Sequence, residues 1–200
     1  MPVFKLPGRQ AVGNLGLAGP PRDQAVGGLL EALAQALDAG AEVTPEPELR
    51  DPDGTVLREG ALSLPRRSDL AVTRDGAREI RELDGGAAPP GPKVALAAAG
   101  GFIAEIGPFR WDAADLRVYA GTDQPDWAPL RRWFLEWFQS RHSELAPDLL
   151  GVVHSLEGPW PKGRAWAFTL DFGSAPAGCL AALITALAEC GAARMRLGRV

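Results

Sequence analysis

Read for hydrophobic and polar alternation, the last third of the chain is the most regular. Leu116-Arg117-Val118-Tyr119-Ala120 alternates and is closed by Gly121, as a half-buried strand does. Trp127, Leu130, Trp133, Phe134, Trp137 and Phe138 then recur every three or four residues, which predicts an amphipathic helix with a heavy aromatic face. Asp123 or Asp126 can cap its start. Leu149–Leu156 reads as a strand, GPWPKG at 158–163 as a turn, and Arg164–Phe172 as a strand with its bulky residues at even positions. Gly173-Ser174-Ala175-Pro176 opens a second helix, with Ser174 as the expected N-cap. Leu180, Leu183, Ile184 and Leu187 form its stripe, and Gly191 stops it. Ala193–Gly198 alternates again. The order β-α-β-β-α-β over 115–200 is that of a ferredoxin-like, split βαβ unit with an antiparallel sheet and two helices.

The first half is less periodic. Val3–Leu6 is a short strand candidate, followed by a glycine-rich stretch and a Pro20-Pro21 turn. Residues 24–39 place Val26, Leu29, Leu30, Leu33 and Leu37 on one helical face. Strand candidates follow at Ala41–Thr44, Thr55–Arg58, Ala61–Leu64, Asp69–Arg74 and Arg78–Leu83, the last two joined by the hairpin signal Asp75-Gly76. Residues 45–54 form an acidic, proline-bearing loop, and 85–92 a linker. Val94–Ile106 reads as a hairpin turning at Gly100-Gly101. The expected organisation is therefore α+β: an irregular α+β region over 1–92, and a hairpin plus ferredoxin-like domain over 93–200.

Composition sharpens this only in part. Glycine (24) and proline (18) are abundant, yet 46% of the 200 residues are hydrophobic, enough for a sizeable core without disulfides or metals. Net charge is −4, so no general nucleic-acid or anionic-membrane surface is expected. Cys179 and Cys190 fall on one helix, too far apart at about 1.5 Å per residue to be bridged. With no signal-like start and no apolar run of membrane length, a cytoplasmic location is expected.

Motifs that carry chemistry are scarce. Asp171-Phe172-Gly173 spells a kinase metal-binding triplet, without the catalytic loop or strand lysine that gives it meaning. Gly13, Gly16 and Gly19 depart from the dinucleotide-binding spacing. His142 and His154 are the two histidines, with no paired-histidine or Cys-x-x-Cys ligand pattern, so no metal or cofactor is expected. His154 is expected in a strand, either facing solvent or lining a surface site. The leading expectation is a non-catalytic protein that binds another protein, of the kind represented by inhibitors and immunity-type antidotes to bacterial toxins. Its candidate contact residues are Glu46, Glu48, Asp51 and Asp53 of the acidic loop, which would meet a basic partner. Trp160, between two prolines in the expected turn, joins them with His154 and Arg164. The alternatives are a small hydrolase-like enzyme using His154, Asp171 and Ser174 in a pocket between the halves, and a ligand-sensing domain using an open sheet face.

Overall fold

The computed structural model describes residues 3–5, 18–49, 62, 64–139 and 149–198. Its elements run β1 (Val3–Lys5), α1 (Gly19–Asp38), β2 (Glu42–Pro45), β3 (Glu48–Leu49), β4 (Arg66–Arg67), β5 (Leu70–Arg74), β6 (Ala77–Arg81), β7 (Val94–Ala97), β8 (Ile103–Ile106), β9 (Ala114–Ala120), α2 (Ala128–Gln139), β10 (Ser155–Lys162), β11 (Ala165–Asp171), α3 (Gly178–Glu189) and β12 (Ala192–Leu197). Among the described residues the fold is α+β, with a seven-stranded sheet in the order β1-β7-β8-β12-β9-β11-β10, a three-stranded sheet β2-β5-β6 and the pair β3-β4. The strands β12, β9, β11 and β10 pair antiparallel, whereas β8 runs parallel to β12 and β1 parallel to β7. The large sheet is thus mixed, and it is wider than the antiparallel sheet expected from 115–200 alone.

Alternation explains which face of the large sheet is covered. Leu116 and Val118 of β9, Phe168 and Leu170 of β11, and Met195 and Leu197 of β12 are buried in one cluster with Leu130, Phe134, Leu180, Leu183 and Leu187 of α2 and α3. The Trp127 ring meets Trp166 and Phe168 edge-on at 6.1 and 5.1 Å. The Trp133 indole N–H donates to the Cys179 carbonyl at 3.0 Å, satisfying a polar group inside this layer. Asp126 accepts from the Ala128 N–H at 2.9 Å at the start of α2, one residue before Trp127, which holds the cap position and takes the Arg131 N–H on its carbonyl. A smaller cluster joins Leu29, Leu33 and Ala36 of α1 to Leu70 and Val72 of β5. Both cysteines are free and buried, and among the described residues no helix is long and apolar enough to cross a membrane.

Several expectations are corrected. Helix α1 starts at Gly19, so Pro20 and Pro21 lie in its first turn, where the missing N–H groups have no helical partner to lose. Leu30 and Leu37 lie beside its buried stripe and are exposed. Helix α3 starts at Gly178 after Ala177, so Ser174 does not cap it; its buried Oγ accepts from the Val152 N–H at 3.3 Å. The strand expected over 149–156 begins only at Ser155, which leaves His154 in an irregular buried segment. The expected turn at 158–163 is instead the body of β10, with a register shift between Glu157 and Trp160. The chain reverses at 163–164. The hairpin at Asp75-Gly76 forms as expected, with φ of 51° and 76° at the two residues. Thr55–Arg58, Ala61 and Ser63 of the candidate Ala61–Leu64, Gly13, Gly16 and His142 lie outside the described residues.

Candidate functional site

Two places gather chemistry, one inside and one on the surface. The inner one is built around His154. Its N–H donates to the Asp171 carbonyl at 3.0 Å, and its carbonyl accepts from the Arg67 N–H at 3.0 Å, which ties β4 to the end of β11. Gly173, with φ of 52°, packs directly against the imidazole; a Cβ there would fall on the ring and 2.6 Å from the Val152 carbonyl oxygen. The ring is completely buried.

Three carboxylates from three segments surround it in one pattern. Glu46 accepts from the Leu150 N–H at 2.8 Å through Oε2 and turns Oε1 to His154 Nε2 at 3.7 Å. Asp69 accepts from the Leu83 N–H at 2.7 Å through Oδ2 and turns Oδ1 to Nδ1 at 3.5 Å. Asp171 accepts from the Gly173 N–H at 2.8 Å through Oδ1 and turns Oδ2 to Nδ1 at 3.5 Å. Burial alone would keep the imidazole neutral, but the neighbouring Asp171 and Glu46 outweigh it and push its pKa up to about 10. Burial also pushes the Asp69 carboxyl up, against the pull of His154. At neutral pH the ring is an imidazolium with both nitrogens protonated, so it has no lone pair for a metal or a substrate proton. Among the described residues, no group of three or more His, Cys, Asp or Glu side chains is arranged to hold a metal ion.

Beside this cluster lies a cleft of about 30 Å³ lined by Asp69, Asp84, Asp112 and Asp171 with Gly85 and Gly173. That is room for one water and no substrate. Arg110 bridges Asp84 at 2.8 Å and Asp112, and holds the Asp112 carboxyl below its ordinary range despite burial. His154 and Asp171 are therefore neighbours, as the enzymatic alternative requires. His154, however, is sealed in the interior and does not line the cleft, and the Ser174 hydroxyl is turned to the backbone at Val152.

The surface place is the face of the large sheet opposite α2 and α3. Cα partners in the ladders share a face, so Glu105, Arg196, Arg117, Ala167 and Trp160 form one row across β8, β12, β9, β11 and β10. Ile103, Arg194 and Tyr119 form the next, continued by Ala165 and Lys162. Trp160 is 42% exposed and Ile103 is 40% exposed. Arg194 and Arg196 share Glu105, the first at 3.6 Å, and both guanidinium groups approach the Tyr119 ring, at 4.5 and 5.7 Å.

Of the residues singled out from sequence, Glu46 and His154 are brought together, but inside the protein. Glu46 is 1% exposed and is no part of an acidic surface. Glu48 is exposed on β3, in register with Arg67, while Asp51 and Asp53 lie outside the described residues. Trp160 and Arg164 lie on β10 and the turn after it, at the open face and its rim. Sequence reasoning missed Asp69, Arg117, Tyr119, Arg194 and Arg196. The signal for the last four was present, because they are the outward positions of two alternating strands; what it lacked was that the two strands are neighbours. Compared with known protein families, with curated proteins and with solved structures, the chain matches none.

Proposed function

We propose that the protein is a non-catalytic binding module that docks a partner protein on the open face of its large sheet. The observation that carries this reading is Trp160, exposed on the outer strand β10 in one row with Ala167 and Arg117. Tryptophan and arginine dominate the residues whose truncation weakens interfaces, and here they share a face that no described helix covers. His154 is sealed in the interior, and the Ser174 hydroxyl is turned to the backbone at Val152. We read the order β12-β9-β11-β10 as a ferredoxin-like unit widened by β8, β7 and β1, an arrangement that packs helices on one face and leaves the other free. An inhibitor or antidote acting in the cytoplasm is one protein of this kind; the two free cysteines suit a reducing compartment. The acidic-loop part of that expectation, however, loses Glu46 to the interior, so the contact surface moves to Trp160 and its row.

Site-specific photocrosslinking tests this. Replacing Trp160 or Tyr119 with a photoreactive phenylalanine in cells of the source organism is expected to yield one discrete adduct, absent when the same group replaces Leu37 and lost on adding Arg117→Glu. Adducts of equal yield from all three positions, or none from 160 and 119, would overturn the proposal.

A further inference from the structure

The open face has a shape set by β11. Its two outward residues in the central rows are Ala165 and Ala167, both small and buried by their neighbours. On either side rise β9, with Arg117 and Tyr119, and β10, with Trp160 and Lys162. Two strand spacings of about 4.8 Å make this a trough roughly 10 Å wide. Along each wall a cation and an aromatic residue alternate, and they alternate again across it: Arg117 faces Trp160 in one row, and Tyr119 faces Lys162 in the next. Exposed Arg164 stands at the end of the trough.

The charge of these two rows is opposite in sign to that of the chain. Arg117, Lys162, Arg194 and Arg196 lie on them with Glu105 as the acid, and Glu105 is already engaged by Arg194 and Arg196. Among the described residues Arg117 has no acidic partner. The whole chain carries −4, and Asp115 and Glu157 flank Thr169 in the adjoining row of the same face, so an acidic ligand is repelled by the molecule at large and attracted only to these two rows.

Resting on the docking role proposed above, we infer that the trough takes an extended acidic peptide segment of the partner protein. Carboxylates at alternate positions on its sheet-facing side meet Arg117 and Lys162, and the aliphatic stems of those side chains pack beside Trp160 over Ala167. Alternate residues of an extended peptide are about 6.7 Å apart, the same repeat that separates the two rows of the sheet. A single-stranded nucleic acid fits less well. Base stacking needs free aromatic faces, whereas Arg194 already stands 4.5 Å over the Tyr119 ring.

The test is an NMR titration of the full chain, following the Trp160 indole and Arg117 side-chain N–H signals. Three probes are used: a short capped peptide alternating glutamate and leucine, its lysine-for-glutamate counterpart, and oligothymidylate. The glutamate peptide is expected to give saturable shifts at both signals. Affinity should fall about tenfold or more in Arg117→Glu, and likewise in Lys162→Glu, and fall again from about 50 mM to about 0.5 M salt. Shifts with the lysine peptide or oligothymidylate in place of the glutamate peptide would overturn this inference and leave the docking face standing. No shift with any probe while the crosslink at 160 persists would overturn it alone; absence of the crosslink removes the docking face itself.

Discussion

His154 shows how far a residue's neighbours can reset its chemistry. Its pKa is raised, so the stability it contributes is fully present below its ordinary value of 6.5 and is lost as pH rises toward about 10. The imidazole is therefore expected to show no NMR titration between about pH 5 and 8; a midpoint near 6.5 would contradict the three-carboxylate cage. Glu46→Ala removes one carboxylate and leaves the Leu150 N–H without its acceptor. Unfolding should become easier by about 3–5 kcal/mol, measured by urea denaturation. Gly173→Ala should be as damaging, since its positive φ and the ring against it leave no room for a methyl group. None of this was legible from His154 itself. Its flanking alternation with Val153 and Ser155 suggested a strand, and its carboxylate partners come from positions as remote as 46, 69 and 171. Chain-local patterns do not encode such contacts.

Elements were far more legible than partners, and the exceptions have physical causes. The strands β9, β11 and β12 and the helices α2 and α3 were readable because one face of each is packed and the pattern repeats at 2 or 3.6 residues. The turn assignment at 158–163 failed because glycine and proline also serve on an outer strand. There, a proline without an N–H costs less and a glycine can make a close crossing. Gly158 does so, with φ of 116° and no room for a Cβ beside the Ala167 carbonyl. In α1 the sequence stripe was wider than the buried one. Leu33 packs on Leu70 and Val72, while Leu37 remains 53% exposed. Thermal or urea unfolding should separate them: Leu33→Ala is expected to cost about 2–5 kcal/mol, and Leu37→Lys to stay within about 0.5 kcal/mol of the parent. Equal losses would show that Leu37 is covered.

At the scale of the molecule, His154 joins two layers, the small sheet and the large one. Glu46 follows β2 and Asp69 precedes β5, both in or beside the small sheet, whereas Asp171 ends β11 of the large one. Arg67 braces the same junction, donating to the Glu46 carbonyl at 2.7 Å and the Phe138 carbonyl at 3.2 Å. Glu82 and its ion-pair partner Arg66 add further charges at this junction, and burial pushes the Glu82 carboxyl up against the pull of Arg66. The raised carboxyl pKa values of Asp69 and Glu82 lower stability as pH rises above their ordinary values, in the same direction as His154. Between its ordinary value of 6.5 and about 10, His154 adds a limiting slope of about 1.4 kcal/mol per pH unit. Above the ordinary thiol value of 9.0 the cysteines add to it, because the buried Cys190 thiol, pushed up to about 11, cannot ionise as readily as in the unfolded chain. The folded ring keeps its proton between about pH 6.5 and 8.5, whereas a ring exposed by opening of the junction loses it above about pH 6.5, so rising pH favours the state in which the small sheet has parted from β11. Hydrogen exchange should then show β2, β5 and β6 losing protection between pH 6.5 and 8.5, after correction for the intrinsic rate, while β9, β11 and β12 keep theirs and Cys179 stays unreactive to a thiol reagent. Uniform loss across both sheets would mean that the whole molecule unfolds in one step and that His154 is a stabilising contact with no role in holding the layers together.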